Sequence, residues 1–235
     1  MRAGACRYSE RMLRQRRHPA ATLRTTRLEA FTDGVFAIAA TLLVLDLTTH
    51  SLGKVTSDAQ MWAALGGMWE LFANFVVSFI LLCLLWMVHV QQFEHVQHVD
   101  GTTIWLNNLR LLFIVLVPFA TSLTTEYSEF LAARLSMPIA FFFSILFGWL
   151  QWQWTMRRRA ELMPELSAEE ARDYGRAALS ALIIAAVVVV LAPWIGSAAF
   201  FLFAADGLLT RVLVGRPRAG APDAARADEG PSARA

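Results

Sequence analysis

Between Leu28 and Val214 the chain is little more than a succession of apolar runs, at residues 28–47, 61–90, 103–123, 130–154, 177–192 and 194–214. A bilayer's hydrocarbon core is crossed by about 20 apolar residues in helical conformation, because backbone polar groups there must be satisfied within the segment. The pattern therefore predicts an all-α, polytopic membrane protein of six transmembrane helices. Composition agrees: 56% of residues are apolar and 17% charged, against roughly 45–50% and 25% in soluble domains. That balance excludes a disordered chain, and 235 residues leave no room for a large catalytic domain outside the membrane.

The runs are not uniformly apolar. The first carries Glu29, Asp33 and Asp46, and buried acids facing lipid are costly, so this helix must line something polar or pack inside a bundle. The second is longer than a bilayer requires and begins with Glu70 and Asn74, which predicts a tilt or an interfacial first turn. Asn107, Asn108, Arg110 and Pro118 fall in the third. The fourth ends in Trp149, Trp152 and Trp154 followed by Arg157, Arg158 and Arg159, the composition of an interfacial anchor. Residues 160–176 read as a short charged connection. The last two runs, hinged at Pro193 with almost no loop, are expected to form an antiparallel pair.

A net charge of +2 conceals strong asymmetry. Arg2, Arg7, Arg11, Arg14, Arg16, Arg17, Arg24 and Arg27 precede or open the first run, without the apolar stretch of a cleaved signal peptide. With the N-terminus inside, arginines concentrate on the inner connections, while the outer ones carry only Lys54 and Arg134. This distribution places both termini in the cytosol. Residues 1–26 then form an arginine-rich cytosolic arm, expected to be disordered, that sets topology; no nucleic-acid partner is expected. Residues 27–214 form the transmembrane domain and residues 215–235 a disordered cytosolic tail.

Enzyme signatures are missing: there is no G-x-S-x-G elbow, H-E-x-x-H helix, phosphate-binding glycine loop or C-x-x-C pair. Glu94, His95 and His98 read as a hydrated connection rather than a metal site, and no cofactor is expected. Cys6 and Cys83 make no disulfide framework. The informative segment is the first run. At about 100° per residue, Ile38, Leu42 and Leu45 fall on one stripe with the Thr41 hydroxyl on its flank, while Asp33 points about 140° away. Asp33 should face neighbouring helices, with Arg27, His89 or a hydroxyl as partner.

The segment Arg27-Leu-Glu-Ala-Phe31-Thr32-Asp33 resembles the Arg-x-x-x-Phe-Ser-Asp signature that opens the first span in bacterial members of the transmembrane protein 175 family, relatives of the endosomal and lysosomal potassium channel. The resemblance extends to Trp86-x-x-His89 and to Asn107 with Pro118-Phe119-Ala120-Thr121. It covers the six spans and leaves out the arm and the tail. It implies a homotetramer in the bacterial inner membrane, with the first helix of each subunit lining a central pathway. Carried over residue by residue, Ile38 is the narrowest constriction, widening through Leu42 and Leu45, and Thr41 supplies the hydroxyl layer of potassium preference. Arg27, Phe31, Thr32, Asp33, Trp86, His89 and Asn107 form the network that holds the first helix. Thr32 stands where the family usually has Ser, which adds a methyl group to the packing.

The chain has no T-V-G-Y-G type filter, so ions cannot be rewrapped by a ring of backbone carbonyls. A ring of Ile38 side chains can gate by dewetting, with modest selectivity, and Asp46 at the pore mouth can concentrate cations. The expectation is a potassium-permeable leak channel. The alternative is a proton channel or proton-coupled transporter, motivated by Asp33, His89, His95 and His98.

Overall fold

The computed structural model describes residues 23–47, 52 and 54–205. Helix α1 (Thr26–Leu42) continues as a 3-10 segment, Leu43–Leu47. It is followed by α2 (Asp58–Gly67), α3 (Trp69–Phe93), α4 (Gly101–Glu126), α5 (Leu131–Arg157), the short α6 (Arg159–Leu162), α7 (Ala168–Ile195) and a 3-10 segment, Gly196–Ala205. Strands β1 (Leu23–Arg24) and β2 (His98–Val99) pair antiparallel, Leu23 opposite Val99.

Five stretches among the described residues are long and apolar enough to cross a membrane: Thr26–Leu45, Trp69–Phe93, Gly101–Glu126, Leu131–Arg157 and Ala168–Phe203. The second and the last differ from their expected bounds for local reasons. The long second run divides into α2 and α3 at Met68, after Gly66 and Gly67, the residues least able to hold a helix against backbone entropy. Ser167 and Glu170 form a reciprocal capping box, so α7 begins inside the stretch expected to be a connection. Pro193 does not break the chain; it lies within α7, and the turn comes at Gly196, whose φ of 58° suits glycine.

The chain reverses at that glycine. Arg134, near the start of α5, donates to the Pro193 carbonyl. Phe141, about 10 Å further along α5 at 1.5 Å per residue, meets the Phe200 ring edge-on at 5.5 Å. Residues after Gly196 therefore run back into the bundle, and Ala199 and Phe200 are buried there. The rest of the expected sixth run, 206–214, lies outside the described residues, as do residues 1–22 and the tail. Residues 23–26, expected within the arm, fold as β1, the Thr25 cap and the first residue of α1.

Helix α4 packs along α5, α5 along α7, and α1 against α3 and α4. Their shared core gathers Phe36, Ala39 and Leu43 with Leu82, Ile114, Val117, Met137 and Val188. A second, separate cluster closes the β1–β2 end around Phe93, Val99, Trp152, Leu162 and Met163.

That end is tied by Asp100, which caps α4. One carboxylate oxygen accepts from the Thr103 amide and hydroxyl at 2.8 and 2.6 Å, and the other from the Trp154 indole at 2.9 Å and from Arg158. Burial pushes the Asp100 carboxyl up, but the bonds from Thr103, Trp154 and Arg158 outweigh it and hold it below the usual carboxylate range. The aromatic anchor expected at the end of the fourth run is thus turned inward: Trp152 is buried with its indole on the Ala171 carbonyl, and Trp154 serves Asp100. The most exposed tryptophans are Trp105 near the β1–β2 end and Trp62, Trp69 and Trp194 at the other, with Trp86 of α3 exposed to a lesser degree.

Candidate functional site

Helix α1 has two faces of opposite character. Thr32, Phe36, Ala39 and Leu43 recur at helical spacing and are buried against α3 and α4. On the other side Ile38 is 61% exposed and Leu45 59%, with Leu42 also uncovered. Ile38, Leu42 and Leu45, predicted as one stripe, thus lie together on an apolar face that the described residues of the chain leave open. Phe31 is 57% exposed, and Arg27 is exposed without a hydrogen bond or ion pair to any described residue. Both were expected in the network holding the helix. At about 100° per residue they fall within roughly 40° of Ile38, so they extend the open stripe toward the start of the helix.

Thr41 lies exposed beside this stripe. Its hydroxyl donates to the helix's own carbonyls, at 3.0 Å to Ala37 or 2.9 Å to Ile38. With its one proton turned inward, the oxygen presents lone pairs outward, where they can act as a cation ligand. Asp46 falls in the 3-10 segment after α1, and its side chain lies outside the described residues.

The remaining network residues lie behind the helix. Asp33 accepts from the Trp86 indole at 2.9 Å, so its partner is Trp86 rather than the expected Arg27, His89 or hydroxyl. Asn107 donates to the Thr32 hydroxyl at 2.9 Å, and both side chains are fully buried. His89 is buried between Phe36 and Phe93, with ring centroids at 6.2 and 4.3 Å, and makes no hydrogen bond to a described residue. A groove of about 360 Å³ opens between α1 and α3 along Asp33, Ala37, Ala40, Cys83 and Trp86.

Two participants escaped sequence reasoning. Phe36 is the residue on which the back of α1 rests, but a phenylalanine in an apolar run carries no distinguishing signal. Arg110 was visible as a lone arginine in a span; its contacts with other helices were not. His95 hydrogen-bonds Tyr174 at 3.0 Å, and no group of three or more metal-ligating side chains is found among the described residues.

Residues 27–118, from Arg27 to Pro118, match the sequence profile of the family described as the endosomal/lysosomal potassium channel TMEM175. Over these residues the chain is similar to the TMEM175 family. The matched region contains Thr32, Asp33, Trp86, His89 and Asn107, which are paired or stacked behind α1. A potassium channel of Streptomyces collinus is 43% identical over 101 residues, 43% of this chain and 48% of that one. A potassium channel of Chamaesiphon minutus is 35% identical over 115 residues, 49% of this chain and 56% of its own length. The human endosomal/lysosomal proton channel TMEM175 is 33% identical over 147 residues, 58% of this chain and 29% of that one. The match thus spans about half the length of the bacterial relatives.

Among solved structures, the crystal structure of a lysosomal potassium-selective channel TMEM175 homolog from Chamaesiphon minutus superposes with a TM-score of 0.56 at 27% identity, over 79% of this chain and 97% of that one. The fold of a variant of the potassium channel MtTMEM175 is also similar, with a TM-score of 0.53 at 17% identity, over 84% and 92% of the two chains.

Proposed function

We propose that the protein is a potassium-permeable, modestly selective cation leak channel of the bacterial inner membrane, with a pore at the centre of a homotetramer of six-span subunits and both termini cytosolic. The observation that carries this reading is the open apolar face of α1, in a helix whose opposite face is fully packed. A single such stripe cannot enclose a pathway, whereas a symmetric ring of copies can. In that ring Ile38 forms the dewetting constriction, Leu42 and Leu45 widen outward, the Thr41 oxygens offer partial ligation, and Asp46 draws cations to the mouth. The names of the bacterial relatives, potassium channels, support the same reading.

A second reading is proton permeation, favoured by the vertebrate relatives named proton channels. A constriction too dry for hydrated potassium can still pass protons along a transient water file. Purified protein in liposomes, given separate potassium, sodium and proton gradients, tests both. Potassium flux exceeding sodium flux supports the first reading, and proton flux alone supports the second. The absence of any cation flux from folded protein refutes both.

A further inference from the structure

Arg110 sits midway along α4 and is 2% exposed, in a core where an unpaired guanidinium is costly. No acid among the described residues pairs with it. It touches three other helices instead. Its Nη2 donates to the Leu85 carbonyl of α3 at 3.0 Å. The guanidinium carbon lies 5.9 Å from the centre of the Phe36 ring of α1. Against α5 it packs on Gly148, where an added Cβ would meet that carbon at 3.3 Å.

We infer that Arg110 is a positioning residue: it fixes the rotation of α1, and with it the placement of Ile38, by holding the Phe36 ring from α3, α4 and α5 at once. The inference rests on the reading of α1 as the pore-lining helix. Phe36 and Ile38 are two residues apart, about 200° around the helix, so turning Ile38 toward or away from a central axis carries the Phe36 ring off the guanidinium. A planar guanidinium can face an aromatic ring and donate to a carbonyl beside it in one fixed geometry, whereas a lysine ammonium makes both contacts only as a rotatable point charge without that plane. The missing side chain at Gly148 makes room for that plane.

The test uses the full chain in liposomes, with Cys6→Ser and Cys83→Ser and spin labels on cysteines placed at the exposed positions Val44 and Leu116, which report the 3-10 continuation of α1 against α4. Arg110→Gln removes the charged plane and, being two bonds shorter, the donor to Leu85 with it; Gly148→Ala keeps Arg110 and displaces it. Trp152→Phe, which removes an indole bond in the separate cluster at the β1–β2 end, is the control for mere destabilisation. Both test variants should shift or broaden the Val44–Leu116 distance distribution and change cation flux per protein by about threefold or more, while the control leaves both as in the parent. Unchanged distances in both variants, or an equal shift in the control, overturn the inference. If Arg110→Gln does not fold, Gly148→Ala decides alone. A parent without flux whose variants still shift the distances refutes the channel reading and leaves the positioning role standing.

Discussion

Replacing Thr32 by Val isolates the one hydrogen bond that, among the described residues, joins the back of α1 to α4. The substitution keeps the branched shape and removes the acceptor of the Asn107 amide, a 2.9 Å bond between two fully buried side chains. In water-soluble proteins stranding a buried donor costs about 1–3 kcal/mol, whereas pairs inside membrane proteins average about 0.6 and reach about 1.7 kcal/mol. The Asn107 carbonyl oxygen already has no partner among the described residues, so rotating the amide gains nothing. The cost should therefore lie near the upper membrane figure, about 1.5 kcal/mol. Thr32→Ser keeps the bond and loses one methyl, about 0.8 kcal/mol, so total stability alone separates the two effects poorly. A double-mutant cycle separates them. With Asn107→Leu as the second substitution, Thr32→Val should show a coupling energy of about 1.5 kcal/mol, and Thr32→Ser should be additive within about 0.3–0.5 kcal/mol. Reversible unfolding in mixed micelles, followed through the eight tryptophans, measures all of these. If Thr32→Val and Asn107→Leu are additive, the bond does not hold the helix and the reasoning fails.

Ile38→Asn should raise cation flux in liposomes by widening and wetting the constriction; flux equal to the parent would remove Ile38 from that role. Thr41→Val should lower the potassium-to-sodium flux ratio while Thr41→Ser preserves it, and equal ratios in all three proteins would show that the hydroxyl takes no part. Asp33→Ala should lower thermal stability by about 1 kcal/mol through loss of the Trp86 bond, with Asp33→Asn milder because an amide oxygen still accepts; equal melting temperatures for Asp33→Ala and the parent would contradict the assignment. The Asp100 carboxyl is held below its unfolded value, so its stabilisation is complete above about pH 4 and is lost as pH falls through the folded pKa. Asp100→Asn should flatten the fall in melting temperature on acidification below pH about 4, and an unchanged acid limb would show that other carboxylates control it.

The features legible in the sequence were those written in residue type along one helix. The Ile38, Leu42 and Leu45 stripe follows from spacing alone, and the structure leaves it open. The Arg-to-Asp motif in α1 was equally visible, but its geometry was not, because a motif names residues without saying which neighbours they meet. Hence Arg27 and Phe31 lie on the open side while Trp86, 53 residues downstream, takes Asp33. Helix ends were misjudged where a local device outweighed average composition: the Ser167 capping box started α7 early, and Gly196 moved the reversal past Pro193. Trp152 and Trp154 looked like an interfacial belt because tryptophan beside arginine usually is one. A buried aspartate at the start of α4 drew Trp154 inward, and no pattern local to 149–159 announces that.

The two-residue ladder between β1 and β2 bears on how the protein is made. It joins Leu23 to Val99, and the bonds that anchor α1 likewise come from far downstream: Trp86 reaches Asp33 across 53 residues and Asn107 reaches Thr32 across 75. A ribosome adding about 5–20 residues per second therefore delivers the first helix several seconds before any of these partners exists. In that interval the helix carries Thr32 and Asp33 without their native partners. Its final register is fixed only after α4 has emerged, so the first of the described helices is locked in place no earlier than the fourth.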